Sequence, residues 1–322
     1  MKLPRRTFLL GAAALPAVSR IARAQAWPSR PVRIVVGFPP GGATDIQARL
    51  MGQWLSERLG QQFIIENRAG ASGNIGTEAV AKAPADGYTL LQIVTPNAIN
   101  AALYTNLNFD FLRDIVPVIA VARLAYVVVV NPSVPATTVP EFIAYAKANP
   151  GKINYGSAGP GTPQNICCEL FKMMASVNLV HVPYRGGAPA TTDLVGGHLQ
   201  VIFCPVSECI EHIKAGKLRA LAVTTATRLD VLPDVPAMGD FVPGYEASGF
   251  AGIGAPRNTP ADIIDLLNKE LNAGLADAKI RARIVELGGT VLGGSAAEFG
   301  TIIAEATEKW AKVIKFAGIK TE

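Results

Sequence analysis

The chain reads as an α/β protein in two domains, and three observations carry that reading. Short apolar runs alternate with amphipathic helical stretches along almost the whole sequence, the order that helix-flanked sheets require. The 322 residues exceed what one hydrophobic core usually spans. Finally, two stretches share one plan, in which a short strand runs into a glycine-rich loop that opens a helix. The first is Val32–Phe38 followed by Pro39-Pro40-Gly41-Gly42-Ala43-Thr44-Asp45, and the second is Ile153–Tyr155 followed by Gly156-Ser157-Ala158-Gly159-Pro160-Gly161-Thr162. A helix N-terminus presents unpaired amides and a partial positive charge, so each loop is a candidate cradle for an anion. Neither loop contains Lys or Arg, which leaves backbone amides and hydroxyls to do the holding. Two cradles in one chain point to a ligand gripped from two sides.

The elements follow in order. After the first loop, Asp45–Leu59 sets Ile46, Leu50, Trp54 and Leu55 on one helical face and stops at Gly60. Phe63–Glu66 reads as a strand, Ile75–Lys82 as a short helix, and Tyr88–Val94 as a strand ended by Thr95-Pro96. Tyr126–Asn131 has the continuous apolar character of a buried strand at a domain boundary. Val139–Ala148 is a helix capped by Thr137 or Thr138. The second cradle then opens a helix from Pro163 to about Ser176, followed by strand Leu179–Val182 and a helix through Leu194. Strand Leu199–Phe203, helix Glu208–Ala215 and strand Leu218–Thr224 come next, and the Pro- and Gly-rich stretch Arg228–Glu246 is a connecting loop. Phe250–Gly254 is a strand returning to the first domain, and helices over Pro260–Ala273, Ala278–Leu287 and Ala296–Phe316 close the chain.

The N-terminus is a targeting segment. Arg5-Arg6-Thr7-Phe8-Leu9 is a twin-arginine pattern, Leu9–Val18 is an apolar h-region, and Ala22-Arg23-Ala24 and Ala24-Gln25-Ala26 are overlapping cleavage motifs. Residues 1–26 are thus a signal peptide cleaved near Ala24 or Ala26, read by either the twin-arginine or the Sec route, with the periplasm as destination. They hold five of the cations (Lys2, Arg5, Arg6, Arg20 and Arg23) and no acid, so the formal charge of +5 belongs to the leader and the remaining chain is neutral. The apparent basicity is no argument for nucleic-acid binding. The longest apolar run beyond the leader, Ala125–Val130, is too short to cross a bilayer.

Motif chemistry excludes more than it assigns. The loops lack the Lys-Ser/Thr of a P-loop, and Gly156, Gly159 and Gly161 do not have dinucleotide-binding spacing, so no nucleotide cofactor is expected. Nothing has metal-site spacing. Tyr155-Gly156-Ser157-Ala158-Gly159 falls one glycine short of a nucleophile elbow, and the order Ser157, Asp193, His198 supplies only a loop histidine as base. Asp45 is either the N-cap of its helix or a group that orients the ligand loop, and Ser157 and Thr162 either cap or donate hydroxyls to an oxyanion. Arg185 is either a surface charge or a partner for a carboxylate. Cys167 and Cys168 diverge along a helix, whereas Cys204 and Cys209 either pair across a turn or are small buried residues.

Several linked motifs then carry a family likeness. The two cradles are joined by Glu66-Asn67-Arg68-Ala69-Gly70-Ala71-Ser72-Gly73, Pro84-Ala85-Asp86-Gly87-Tyr88-Thr89-Leu90, Val182-Pro183-Tyr184-Arg185-Gly186 and Gly216-Lys217-Leu218-Arg219-Ala220-Leu221-Ala222-Val223. Together they resemble the periplasmic solute receptors of tripartite tricarboxylate transporters, the Bug-type receptors, over nearly all of the chain after the leader. The resemblance implies a two-lobed, type II-like Venus-flytrap binding protein without catalytic activity, with mixed sheets flanked by helices and a ligand cleft between lobes. It implies lobe 1 over 27–127 and 249–322, and lobe 2 over 128–248. It also implies a monomer that binds a small carboxylate (a di- or tricarboxylate, an aromatic acid or an acidic amino acid) and delivers it to membrane permease subunits; the alternatives are a sensor module signalling through a partner and an enzyme on the same fold. The expected ligand contacts are Gly41, Gly42, Ala43, Thr44 and Asp45 on one side and Ser157, Gly159, Gly161, Thr162 and Pro163 on the other. Phe38 and Pro39 form an apolar wall, and Tyr184 and Arg185 shape the far end. The pattern departs from the family at Asn165, where His is common, at Gln200, where Asp is common, and at Cys204-Pro205-Val206-Ser207.

Overall fold

The computed structural model describes residues 27–320, so the leader lies outside the described residues. Two sheets divide the chain into lobes. The first lobe begins with β1 (Val32–Val36), α1 (Ala43–Leu59), β2 (Phe63–Asn67), α2 (Asn74–Ala81), β3 (Thr89–Val94), α3 (Thr95–Leu103), α4 (Phe111–Asp114) and β4 (Ile115–Leu124). The second holds β5 (Tyr126–Val130), α5 (Val139–Ala148), β6 (Asn154–Ser157), α6 (Pro163–Ala175), β7 (Val180–Pro183), α7 (Gly187–Val195), β8 (Val201–Pro205), α8 (Val206–Lys214) and β9 (Arg219–Val223). The chain then returns to the first sheet with β10 (Gly249–Pro256), α9 (Ala261–Ala276), α10 (Ala278–Glu286), β11 (Gly289–Gly293) and α11 (Ala296–Ala317).

Both sheets are mixed. The first has the order β11-β4-β10-β3-β1-β2 and the second β7-β6-β8-β5-β9. Strand β1 pairs in parallel with β2 and β3, as strand–helix–strand units demand. The antiparallel part arises where β10, coming back from the other lobe, inserts between β3 and β4. In the second sheet β6 pairs in parallel with β7 and β8, while β5 runs against β8 and β9.

Four elements were not expected. Strand β4 carries Pro117 at a register shift opposite Gly254, where a bulge tolerates a residue without an N–H. Thr95-Pro96 ends β3 but also starts α3, since proline fits a first helical turn. There the Asn97 side-chain oxygen accepts the Val94 amide at 2.7 Å. The short α4 and β11 had no sequence signal that was read. On α1 the buried stripe is Ala48, Met51, Gly52 and Leu55, so Leu50 and Trp54 pack at its margin rather than at its centre. Helix α5 is capped by Thr138, whose oxygen accepts the Glu141 amide. Of the two readings of the cysteines, Cys204 and Cys209 are disulfide-bonded, and Cys167 and Cys168 are buried thiols.

The chain passes between sheets at Ala125 and again at Ala247-Ser248. The two crossings are tied together: the Thr224 amide donates to the Tyr126 carbonyl and the Ala247 amide to the Thr224 carbonyl, both at 2.9 Å. Beside them Glu246 accepts from Lys309 on α11 at 2.8 Å. Burial pushes the Glu246 carboxyl up, but Lys309 and Ser248 outweigh it and hold it below its usual range. Helix α11 packs on α3 and β4 of one lobe and on α6 of the other, with Trp310 buried in an apolar cluster shared by both.

The centre of β10 has no room for a side chain at Gly252, where a Cβ would collide with the Ile119 carbonyl and the Phe299 ring. Gly252→Ala is expected to cost about 3 kcal/mol, the upper end for overpacking a core, as a lower urea midpoint at unchanged m-value. An unchanged midpoint would mean the β10–β4 register is looser than it stands here.

Candidate functional site

The first glycine loop ends in an uncapped helix. The N-cap of α1 is Gly42, with extended φ/ψ and no side-chain cap. Asp45 is therefore not the N-cap that the sequence allowed. It stands in the first turn, 2% exposed, with its carboxylate bonded to the loop before the helix. There it accepts the Gly41 amide at 2.9 Å, the Arg49 guanidinium at 2.9 and 3.0 Å, and the Asn67 amide group at 2.9 Å. Among the described residues nothing accepts from the amides of Gly42, Ala43, Thr44 or Asp45, and the first helical bond runs from Ile46 to the Gly42 carbonyl. Four N–H groups at the positive end of a 17-residue helix are left for an outside acceptor.

The second loop is occupied with itself. The Ala158 amide donates to the Gln164 side chain, the Gly161 amide to Asn165, and the Gly159 amide to Ser157 Oγ. Thr162 Oγ1 donates to the Gly159 carbonyl at 2.7 Å. Ser157 is fully buried, and its hydroxyl stands 2.6 Å from His181 Nε2. Behind it, Asn165 donates to Tyr155 Oη at 2.6 Å, Tyr155 donates to Glu169, and Glu169 pairs with Lys172 at 2.8 Å. Burial pushes the Tyr155 hydroxyl up and the His181 ring down, so both stay neutral near pH 7. This network braces the loop from below. At the start of α6 the Gln164 and Asn165 amides have no acceptor among the described residues, and Thr162 makes no side-chain cap.

A cavity of about 580 Å³ separates the lobes. Phe38, Gly41, Gly42, Ala43 and Thr44 line it from the first loop, and Gly161, Thr162 and Pro163 from the second. Six expected residues lie outside the lining: Pro39, Asp45, Ser157, Gly159, Tyr184 and Arg185. Pro39 and Arg185 are exposed. Ser157 is sealed beneath its own loop, and Tyr184 donates its hydroxyl to Asp193 at 2.6 Å. His181, not His198, is the histidine beside Ser157. Because that pair is closed off from the cavity, it presents no nucleophile to a ligand there.

Sequence reasoning missed the floor and the far wall. Ala125 and Tyr126 form the floor at the crossing between lobes, Thr95 and Pro96 come from the first turn of α3, and Gln164 and Glu208 stand opposite. The Thr-Pro pair was a readable signal, since proline in a first turn marks a helix start. Gly161 shows how closely the lobes approach: its φ of +71° suits glycine, and a Cβ there would lie 2.7 Å from Leu103 Cδ2 on α3.

Two helix-flanked mixed sheets with helix N-termini facing one another across a cleft define the class of two-lobed solute-binding proteins. Residues 47–319 match the sequence model described as the tripartite tricarboxylate transporter family receptor, and the chain belongs to that family. Protein BugT of Bordetella pertussis is 35% identical over 300 residues, covering 92% of each chain. The solved structure of R. palustris Rpa4515 with adipate is 38% identical, with a TM-score of 0.80, over 91% of this chain and 99% of that one. MatC (Rpa3494) from Rhodopseudomonas palustris with bound malate is 28% identical, with a TM-score of 0.77, over 89% and 100%. The resemblance read from the motifs is borne out. The family is one of periplasmic receptors, which points away from catalysis.

Burial raises the Asp45 carboxyl, but hydrogen bonds from Arg49, the Gly41 amide and Asn67 outweigh that and bring it from 3.8 down to about 2. A depressed carboxyl contributes stability above its unfolded value that is lost as pH falls through the folded one. Asp45→Asn is therefore expected to be less stable than the parent at pH 7, with the gap closing between pH 4 and pH 2 in denaturant titrations. A gap that stays constant over that interval would show that the carboxylate charge does not hold the loop.

Proposed function

We propose that the chain is a periplasmic receptor that binds a small carboxylate between its lobes and delivers it to the membrane permease of a tripartite tricarboxylate transporter. The observation that carries the reading is the uncapped start of α1, whose amides line the cleft with no acceptor of their own. A carboxylate is the complement of such a cluster in charge, size and acceptor geometry. Adipate in Rpa4515 and malate in MatC are ligands of this chemical class, and both proteins share the fold over nearly their full length.

In this reading the lobes are 27–125 with 249–320 and 126–248, the first boundary lying two residues before the one expected from sequence, and the mature receptor is a periplasmic monomer released by cleavage near Ala24 or Ala26. Gly42, Ala43 and Thr44 hold the carboxylate on one side. On the other, the Gln164 amide and the rim of Gly161, Thr162 and Pro163 close over it, while Phe38 supplies an apolar wall. Asp45, Ser157, Gly159 and Tyr184 act beneath the surface by fixing loop shape. Closure is favoured because the ligand contacts both lobes only when they are shut. No step requires a cofactor.

Ala43→Pro tests the clamp. Proline fits the first helical position, and the residue before it, Gly42, already has the extended backbone that proline prefers, with ψ of 165°. The substitution deletes one donor without straining the helix. Carboxylate affinity measured by calorimetry is expected to fall at least about tenfold, the scale of one hydrogen bond to a charged group, at an unchanged melting temperature. Equal affinity would place the carboxylate elsewhere.

A further inference from the structure

Among the described residues that line the cavity there is no Lys, Arg or His, and one side chain bears a charge: Glu208, in the first turn of α8. Its carboxylate lies against Gly187 at the start of α7, so closely that a Cβ on that glycine would collide with it. Its one hydrogen-bond partner among the described residues is the Gln164 side chain at 3.5 Å, the far limit of such a bond. An acid at this place lies against the start of α7, which joins the starts of α1, α3, α6 and α8 around the cleft, and offsets the positive end of that helix. The loop that opens α7 carries Arg185, but that side chain is exposed, lies outside the lining and forms no ion pair with Glu208.

The far side of the cleft is thus anionic while the α1 side attracts an anion. We propose that Glu208 selects a ligand whose carboxylate end meets the α1 amides and whose other end carries a cationic nitrogen, so that the preferred solute is a zwitterionic amino acid rather than a diacid of the same length. The reason is electrostatic. A second carboxylate would face Glu208 across a cavity with no cation to separate the two charges, whereas an ammonium would gain a charge-assisted hydrogen bond there. Glu208 stays exposed to the cleft, but the residues crowded against its carboxylate desolvate it in part and raise its carboxyl from the ordinary value, with no cation opposing the shift. Such a group gains more from a cationic partner than an acid in bulk water does.

The inference rests on the carboxylate clamp, and the test separates the two. Calorimetry at pH 7.5 would compare three matched series of four to six carbons: unbranched monocarboxylates, diacids and ω-amino acids. Each would be titrated into the mature protein, Glu208→Gln and Ala43→Pro. The expected result is that an ω-amino acid binds the parent at least about tenfold more tightly than the diacid of equal length. Glu208→Gln should remove most of that preference while changing monocarboxylate affinity less than threefold, and Ala43→Pro should weaken all binders alike. A parent that prefers the diacid at every length overturns the role of Glu208 and leaves the clamp standing, provided Ala43→Pro still weakens binding. A preference that survives Glu208→Gln also overturns it. Binding of no member of any series, or binding indifferent to Ala43→Pro, removes the clamp and this inference together.

Discussion

The site depends on where one carboxylate points. An aspartate in the first turn of a helix ordinarily sits by its own N-terminus and neutralises it. In α1, Arg49 one turn further on and Asn67 at the end of β2 draw Asp45 to the opposite side of the loop. The same carboxylate accepts the Gly41 amide, which folds the loop back and keeps the next amides clear. The helix end stays open because the residue best able to close it is held elsewhere. Arg49 neutralises Asp45 locally, so the helix start keeps the positive potential that an ionised aspartate facing the cleft would cancel.

A clamp made of amides differs from one made of lysines. Amides do not titrate, so their attraction for an anion is constant over the pH range in which the fold survives. They also lack side-chain entropy, because α1 and its loop are ordered before any ligand arrives. The cost of order is met during folding, through the β1–β2 pairing and the packing of Met51 and Leu55 beneath the helix. The second loop follows the same principle more tightly. Its Ala158, Gly159 and Gly161 amides are held by Gln164, Ser157 and Asn165, so it contributes shape and the two free amides of α6 more than a ring of donors.

What the sequence made legible divides along the range of the interactions. Strand–glycine–helix units, the ends of helices α5 to α7 and the neutral cleft loops follow from local pattern, and the fold could be read from them. Of the two readings of Asp45, the N-cap gives way to the group that orients the ligand loop, because its decisive partners include Asn67, 22 residues away. Ser157 looked like a ligand donor because loop composition says nothing of His181, which reaches it from the neighbouring strand. Tyr184 is tied up by Asp193 in the same way. The cleft floor was invisible for a different reason: Tyr126 reads as one more apolar strand residue, and only the passage of β4 into β5 through Ala125 sets it between the lobes.

That passage also restricts how the lobes can move. A single residue joins β4 to β5, and hydrogen bonds through Thr224 lock the outgoing crossing to the returning one at Ala247. Helix α11 spans the same region, with Lys309 held by Glu246 beside the crossing and Trp310 buried in a cluster drawn from both lobes. Separating the lobes on this side would expose apolar surface at roughly 25 cal/mol for each Å² and break a partly buried ion pair. On the other side the two loops face one another across the cleft, with Leu103 close against Gly161. The low-cost motion is a rotation about the crossings that parts the starts of α1 and α6. A ligand that bridges those two helix ends therefore acts at the point where the lobes separate most, and modest hydrogen bonds can bias the whole equilibrium.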